Sequence, residues 1–364
     1  MQTMKVIILL GAVVAMAHAA PESLHGGNSQ YGKAVSNSIS SADQPPTSSA
    51  QNAFLNIVSG DSLAWCGGYT APECSNACYW LGYRCYRCTS SFWLEGLLIL
   101  LRRLCYPNRL HDLEITFNRD YSLLSRISNW MTEYIHGQFS HLLRSLNSHE
   151  WLTPMKLQEF ADTLVNSGCA YPNVVGFIDG TARPICRPSI NQRQVYSGYY
   201  KTHTLKYQSI MLPNGIIGRL DGPFNGRRHD SAILGLSGLI EELERKFVQN
   251  DGSWYTLYGD PGYANQKFIK IGYKNNSRNP LTIQQKNFNR DMSALRVHVE
   301  YGFGKVIQLF VFLDYKKNQK LLLQCLRKQY DVAVILSNCH TCLRGSQVTK
   351  YFGCAPPELE EYLH

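Results

Sequence analysis

The chain has 364 residues, 44% of them hydrophobic, which argues for a globular protein of one or two domains with a real core and against a disordered one. Its formal net charge is +9. Lys5, Lys33, Glu22 and Asp43 cancel within residues 1–60, so the excess lies in residues 61–364. A basic body of that kind suits a polyanionic partner, although a soluble cationic protein with no such partner has the same charge.

The N-terminus reads as a secretory leader. Lys5 precedes an apolar run from Val6 to Ala17, and Ala17-His18-Ala19 offers a small-x-small cleavage site, so residues 1–19 are expected to be a signal peptide. The run is too short for a transmembrane span, and no other segment has 18 uninterrupted apolar residues. Residues 20–61 are expected to be a disordered linker, with Ser, Gly, Asn, Gln and Pro abundant up to residue 52. Residues 62–93 are Cys-rich: Cys66, Cys74, Cys78, Cys85 and Cys88. In an oxidising route they suggest a small disulfide module with one thiol left over; in an intracellular protein they suggest a zinc knuckle.

Residues 94–170 read as a helical region. Leu97, Leu98, Leu101 and Leu104 share one face, as do Leu123, Leu124, Ile127, Trp130, Met131 and Ile135. Trp151-Leu152-Thr153-Pro154 predicts a helix start, with Thr153 as cap and Pro154 in the first turn. Residues 171–364 turn to strands. Val174–Ile178 is a short apolar strand ending at Asp179, and Thr204–Leu212 and Ile216–Leu220 form a hairpin about Pro213-Asn214-Gly215. A helix is expected over Ser231–Val248, a strand over Trp254–Tyr258 running to Asp260, and a helix over Met292–Phe312 with Ser293 as a possible cap. The class is α/β.

Four acidic residues each carry a short signature. Asp179 lies in Val174-Val175-Gly176-Phe177-Ile178-Asp179-Gly180-Thr181, and Asp230 in Gly226-Arg227-Arg228-His229-Asp230-Ser231. Asp260 lies in Leu257-Tyr258-Gly259-Asp260-Pro261-Gly262-Tyr263, and Glu300 in Val297-His298-Val299-Glu300-Tyr301-Gly302-Phe303-Gly304. If the strands leading to Asp179 and Asp260 are parallel neighbours, both carboxylates reach one sheet edge and Glu300 meets them from a helix. Three such groups supply the oxygens that Mg²⁺ or Mn²⁺ needs: one ion to activate the attacking water, the other to stabilise the leaving 3′-oxygen of a phosphodiester. Asp230 precedes a helix and is either a further ligand or that helix's cap. Arg227 and Arg228 beside it, and Lys206 on the second strand, are candidate phosphate contacts; each also reads as an ordinary solvated base.

Together these signatures resemble the DDE endonuclease domain of PIF/Harbinger transposases and their domesticated nuclease relatives. Arg183-Pro184-Ile185-Cys186-Arg187-Pro188, His203-Thr204-Leu205-Lys206-Tyr207-Gln208 and the closing Tyr351-Phe352-Gly353 extend the likeness over about Leu100 to His364. The resemblance implies an RNase H-like core, a divalent cation (Mg²⁺ or Mn²⁺), double-stranded DNA as substrate and catalysis by Asp179, Asp260 and Glu300. It also counts Asp230 among the metal-binding residues, implies a nuclear location in conflict with the leader, and brings in a Myb-like DNA-binding partner protein. The region before Leu100 departs from the family. That departure keeps two alternatives in play: a non-catalytic secreted Cys-rich protein, and a chimeric gene joining a secreted exon to a transposase-derived body.

Cys339-His340-Thr341-Cys342 has a metal-like look but no second pair at zinc-finger spacing, so core thiols at a helix end are the better reading. The chain lacks a Walker-type phosphate loop, which argues against nucleotide hydrolysis.

Overall fold

A computed structural model describes residues 90–275 and 280–364. The expected signal peptide, the expected linker and the five clustered cysteines fall outside the described residues.

The helical region begins with α1 (Ser90–Cys105), α2 (Leu110–Phe117) and α3 (Tyr121–Phe139). Leu97, Leu101 and Leu104 of α1 are buried against Leu124, Ile127, Met131 and Ile135 of α3, as their helical spacing predicts. Helix α4 (Pro154–Asn166) starts where expected, with the Thr153 hydroxyl accepting from the Lys156 N–H at 3.2 Å and Pro in the first turn.

The sheet comprises β1 (Val174–Pro184), β2 (Tyr196–Ser197), β3 (Thr202–Met211), β4 (Ile217–Asn225), β5 (Thr256–Gly259) and β6 (Ile269–Ile271). Strand β1 is central. It pairs antiparallel with β3, which pairs antiparallel with β4 and, at its start, with β2. On its other side β1 pairs parallel with β5, and β5 parallel with β6. The order is therefore β4-β3-β1-β5-β6. Val174–Ile178 are fully buried because helices cover the sheet here, α4 among them.

Three expectations need correction. Asp179 does not end its strand: β1 continues to Pro184 because β3 offers antiparallel partners from Ser209 to Thr204 opposite Asp179–Pro184. Pairing, not the apolar run, sets the strand's length. The helix expected over Ser231–Val248 is two, α6 (Asp230–Leu236) and α7 (Leu239–Lys246). They are divided at Gly238, whose φ of 64° is left-handed. The Glu300 helix, α8, runs Ile283–Leu309, so Ser293 lies inside it; Thr282 is the cap, in a capping box with Gln285. Its first turns are polar and carry no apolar stripe, which hid them from a periodicity reading. Strands β2 and β6, and the one-turn helix α5 (Gln192–Val195) just before β2, were not anticipated; two to four residues are too short to show a period.

Helices α9 (Leu326–Arg344), α10 (Gln347–Phe352) and α11 (Leu359–Tyr362) close the domain. Asn338 on α9 stitches that helix to β4: its Oδ1 accepts from the Ile217 N–H at 3.0 Å and its amide donates to the Ile217 carbonyl at 2.9 Å. Cys339 is fully buried in the same helix, as a core thiol should be, whereas Cys325 beside its start is exposed. Among the described residues no helix is long and apolar enough to cross a membrane.

Candidate active site

Parallel pairing of β1 with β5 sets Ile178 opposite Gly259, so Asp179, within β1, and Asp260, just past the end of β5, follow as neighbours. From α8, Arg296 reaches two acidic groups on that side, Asp179 and Glu300. Its Nη1 lies 3.2 Å from Asp179 Oδ1 and its Nη2 donates to Glu300 Oε1 at 2.6 Å. Arg296 and Glu300 face one another because they are four apart on a helix. Asp179 is the floor of the arrangement, with 18% of its side chain accessible, and Glu300 is its mouth, with 48%.

Burial pushes the Asp179 carboxyl up to about 6; Arg296 and the Gly180 N–H hold it down, and the charges of Glu300 and Asp260 push it up again. The buried Tyr263 phenol is raised well above its ordinary value, by burial first and then by Asp230, Asp179 and Asp260. Its hydroxyl has no hydrogen-bond partner.

Asp230 lies on the other side of β1. Successive side chains of a strand point to opposite faces, and a Cβ at Gly180 would come within 2.7 Å of Asp230 Oδ1. Lys206 is on that same face, opposite Ala182 in the β1–β3 register, and donates to Asp230 Oδ1 at 3.0 Å. Asp260 stands between the two sides: a Cβ at Gly262 would meet Asp260 Oδ1 at 2.9 Å and Asp230 Oδ2 at 3.4 Å. Glycine at 180 and 262 is thus what lets the carboxylates crowd the strand ends. His229, not Asp230, is the N-cap residue of α6, and no side-chain cap bond forms there.

The structure therefore joins Asp179 and Glu300 on one side through Arg296, with Asp260 beside Asp179 at the strand ends and Asp230 adjacent to Asp260 from the other side of β1. Lys206 is paired with Asp230, while Arg227 and Arg228 are exposed in the turn after β4. Among the described residues no three His, Cys, Asp or Glu side chains converge closely enough to hold an ion as they stand. The donor chemistry nonetheless fits a hard cation, since every group is a carboxylate, and the position between Asp179 and Glu300 already holds a positive charge, that of Arg296. Arg296 was missed by sequence reading. Its signal was available as Arg296-x3-Glu300, the spacing of a helical ion pair. Tyr263 closes the Asp260 motif, which gave it no signal of its own.

Residues 178–338 match the DDE superfamily endonuclease family. The matched segment opens one residue before Asp179 and contains all four acidic residues, so this part of the chain is similar to a DDE superfamily endonuclease domain. Over 129 residues, 34% of this chain, it is 29% identical to a probable transposase for insertion sequence element IS702 from Microchaete diplosiphon. The chain spans 43% of that relative's length. No solved structure matches the chain at a significant level.

Proposed function

We propose that this chain is a divalent-metal-dependent DNA endonuclease of transposase descent and PIF/Harbinger type. It hydrolyses phosphodiester bonds with Asp179, Asp260 and Glu300 as its catalytic carboxylates. The observation that carries the reading is the parallel pairing of β1 and β5, which sets Asp179 beside Asp260 while α8 presents Glu300 to them. The strand order β4-β3-β1-β5-β6, with two antiparallel strands on one side of β1 and two parallel on the other, supports an RNase H-like core.

When bound, Mg²⁺ or Mn²⁺ would supply an acidified water and a counter-charge for the leaving oxygen. The chain's own groups do the rest. Asp179, buried and fixed by the Gly180 N–H, sets the depth of the site; Glu300 at the mouth is reachable by solvent and substrate. Asp230, held by Lys206, keeps negative charge behind Asp260. Arg227 and Arg228 extend the basic rim toward a DNA backbone.

Nicking of supercoiled plasmid by the full chain in Mg²⁺ tests this. Wild type should yield nicked circles, and Glu300→Gln should reduce nicking to background with an unchanged melting temperature. Equal nicking by both proteins would refute the role of Glu300. Absence of nicking by wild type in both Mg²⁺ and Mn²⁺ would put a catalytically inactive transposase-derived body in its place.

A further inference from the structure

Beside the carboxylates stands a pair of aromatic rings that neither the core nor the proposed chemistry uses. Strands β2 and β3 form a tight hairpin, Tyr196 opposite His203 and Ser197 opposite Thr202, with Gly198–Lys201 as its tip. Tyr199 is 88% exposed and Tyr200 49% exposed, and their rings meet edge to face with centroids 4.8 Å apart. The tip is braced: the Tyr200 N–H donates to the Ser197 hydroxyl at 3.4 Å, and Tyr196 packs its edge on His203 at 5.4 Å. The base of the hairpin packs on the segment that leads to Asp230: a Cβ at Gly226 would come within 2.5 Å of the Thr204 carbonyl oxygen and 2.7 Å of that of Val195, which places the hairpin at the rim of the site. Around it the surface is basic. Lys201 is exposed in the tip itself, and the Arg227-Arg228-His229 turn follows Asn225, which pairs with Leu205 of β3.

We propose that Tyr199 and Tyr200 form a stacking platform for an unpaired DNA base next to the scissile phosphate. This rests on the nuclease reading above. Two rigid rings cost little conformational entropy to present, every base has a face to stack on them, and the surrounding cations suit the phosphates on either side of that base. A base released from its pair at the cut would find a ring surface within reach of the carboxylates.

The test uses the full chain in EDTA, to prevent cleavage, and two short duplexes. One carries a single unpaired 2-aminopurine; the other is fully paired. Wild type should bind the unpaired probe more tightly and quench its fluorescence. Tyr199→Ala and Tyr200→Ala should weaken that binding by about 5- to 100-fold, the range of one base–aromatic stack, and change binding of the paired duplex less than about twofold. Tyr199→Phe and Tyr200→Phe should restore it, since the ring and not the hydroxyl stacks. Equal losses on both probes, no loss in the alanine variants, or failure of Phe to rescue would overturn the platform and leave the nuclease reading standing. Wild-type binding to neither duplex would overturn both.

Discussion

Arg219 and Arg296 each hold two carboxylates, and the two sites are finished to different degrees. Arg219 is 5% exposed. It donates to Asp221 at 3.0 Å, ion-pairs with Glu242, and donates to the Ser237 carbonyl at 2.6 Å. Glu242 in turn accepts from the Ser145 hydroxyl at 2.8 Å and from the Leu146 N–H, tying α7 to the helical region. Every charge there is answered from several elements, as a permanent joint requires. At the other site, Arg296 Nη1 is buried near Asp179 without a well-directed hydrogen bond, the Tyr263 hydroxyl has no partner, and Glu300 is half exposed. One cluster is built to stay closed. The other is neutralised but left able to change partners, which is what a binding site needs.

Exchanging Glu for Ala in the two clusters should separate them most sharply. Glu242→Ala leaves Arg219 short of a buried partner and should cost about 3–5 kcal/mol of stability, read as a large drop in denaturation midpoint. Glu300→Ala, at the solvent edge, should cost less than about 0.5 kcal/mol while removing nicking. Comparable losses of stability in both variants would show that Glu300 belongs to the scaffold.

The next effect is in pH. The Asp179 carboxyl sits at about 6 in the folded chain, against an ordinary aspartate in the unfolded one. The folded state therefore binds the proton more tightly. The stability from that protonation is complete below about pH 4 and is lost as pH rises through about 6, by about 2–3 kcal/mol in all. Urea melts of wild type and Asp179→Asn across this window should diverge, the variant lacking the decline. Parallel curves would mean that Asp179 titrates normally and that its burial is relieved in solution.

Sequence reading went furthest where chemistry and periodicity coincide. The Asp179 and Asp260 motifs each follow a short apolar run, and the parallel pairing that would set them side by side is the one the structure has. Thr153-Pro154 carries its own cap chemistry, and the α1 and α3 faces are plain in their leucine spacing. The side of the sheet on which Asp230 falls was not legible, because it depends on the β1–β3 register that puts Ala182 against Lys206. Nor was the length of α8, whose start is marked by Thr282 and Gln285 and by no apolar stripe. Long-range cationic partners such as Arg144, which reaches Asp331 across 187 residues, leave no local trace.

The smallest effect, and the most direct probe of the open cluster, concerns Arg296. Its guanidinium lies between Asp179 and Glu300, two of the groups proposed to hold a cation. A divalent ion must then either displace Arg296 or bind against its repulsion. Removing that charge should help the ion more than losing the two contacts hurts the pocket, because the carboxylates remain on their own elements, Asp179 on β1 and Glu300 on α8. Partial screening at a half-exposed site reduces the interaction of two nearby charges to about 1–2 kcal/mol, so Arg296→Gln should tighten Mn²⁺ binding by about 5- to 30-fold. Calorimetry on the full chain at neutral pH reads this directly, without DNA and without turnover. The glutamine keeps a donor for Glu300, so the fold should hold, and a thermal melt checks that it does. The equivalent change at Arg219 should leave Mn²⁺ affinity alone and lower the melt instead. Unchanged or weaker Mn²⁺ binding in Arg296→Gln would place Arg296 with Arg219, as a structural clamp rather than the occupant of a cation's position.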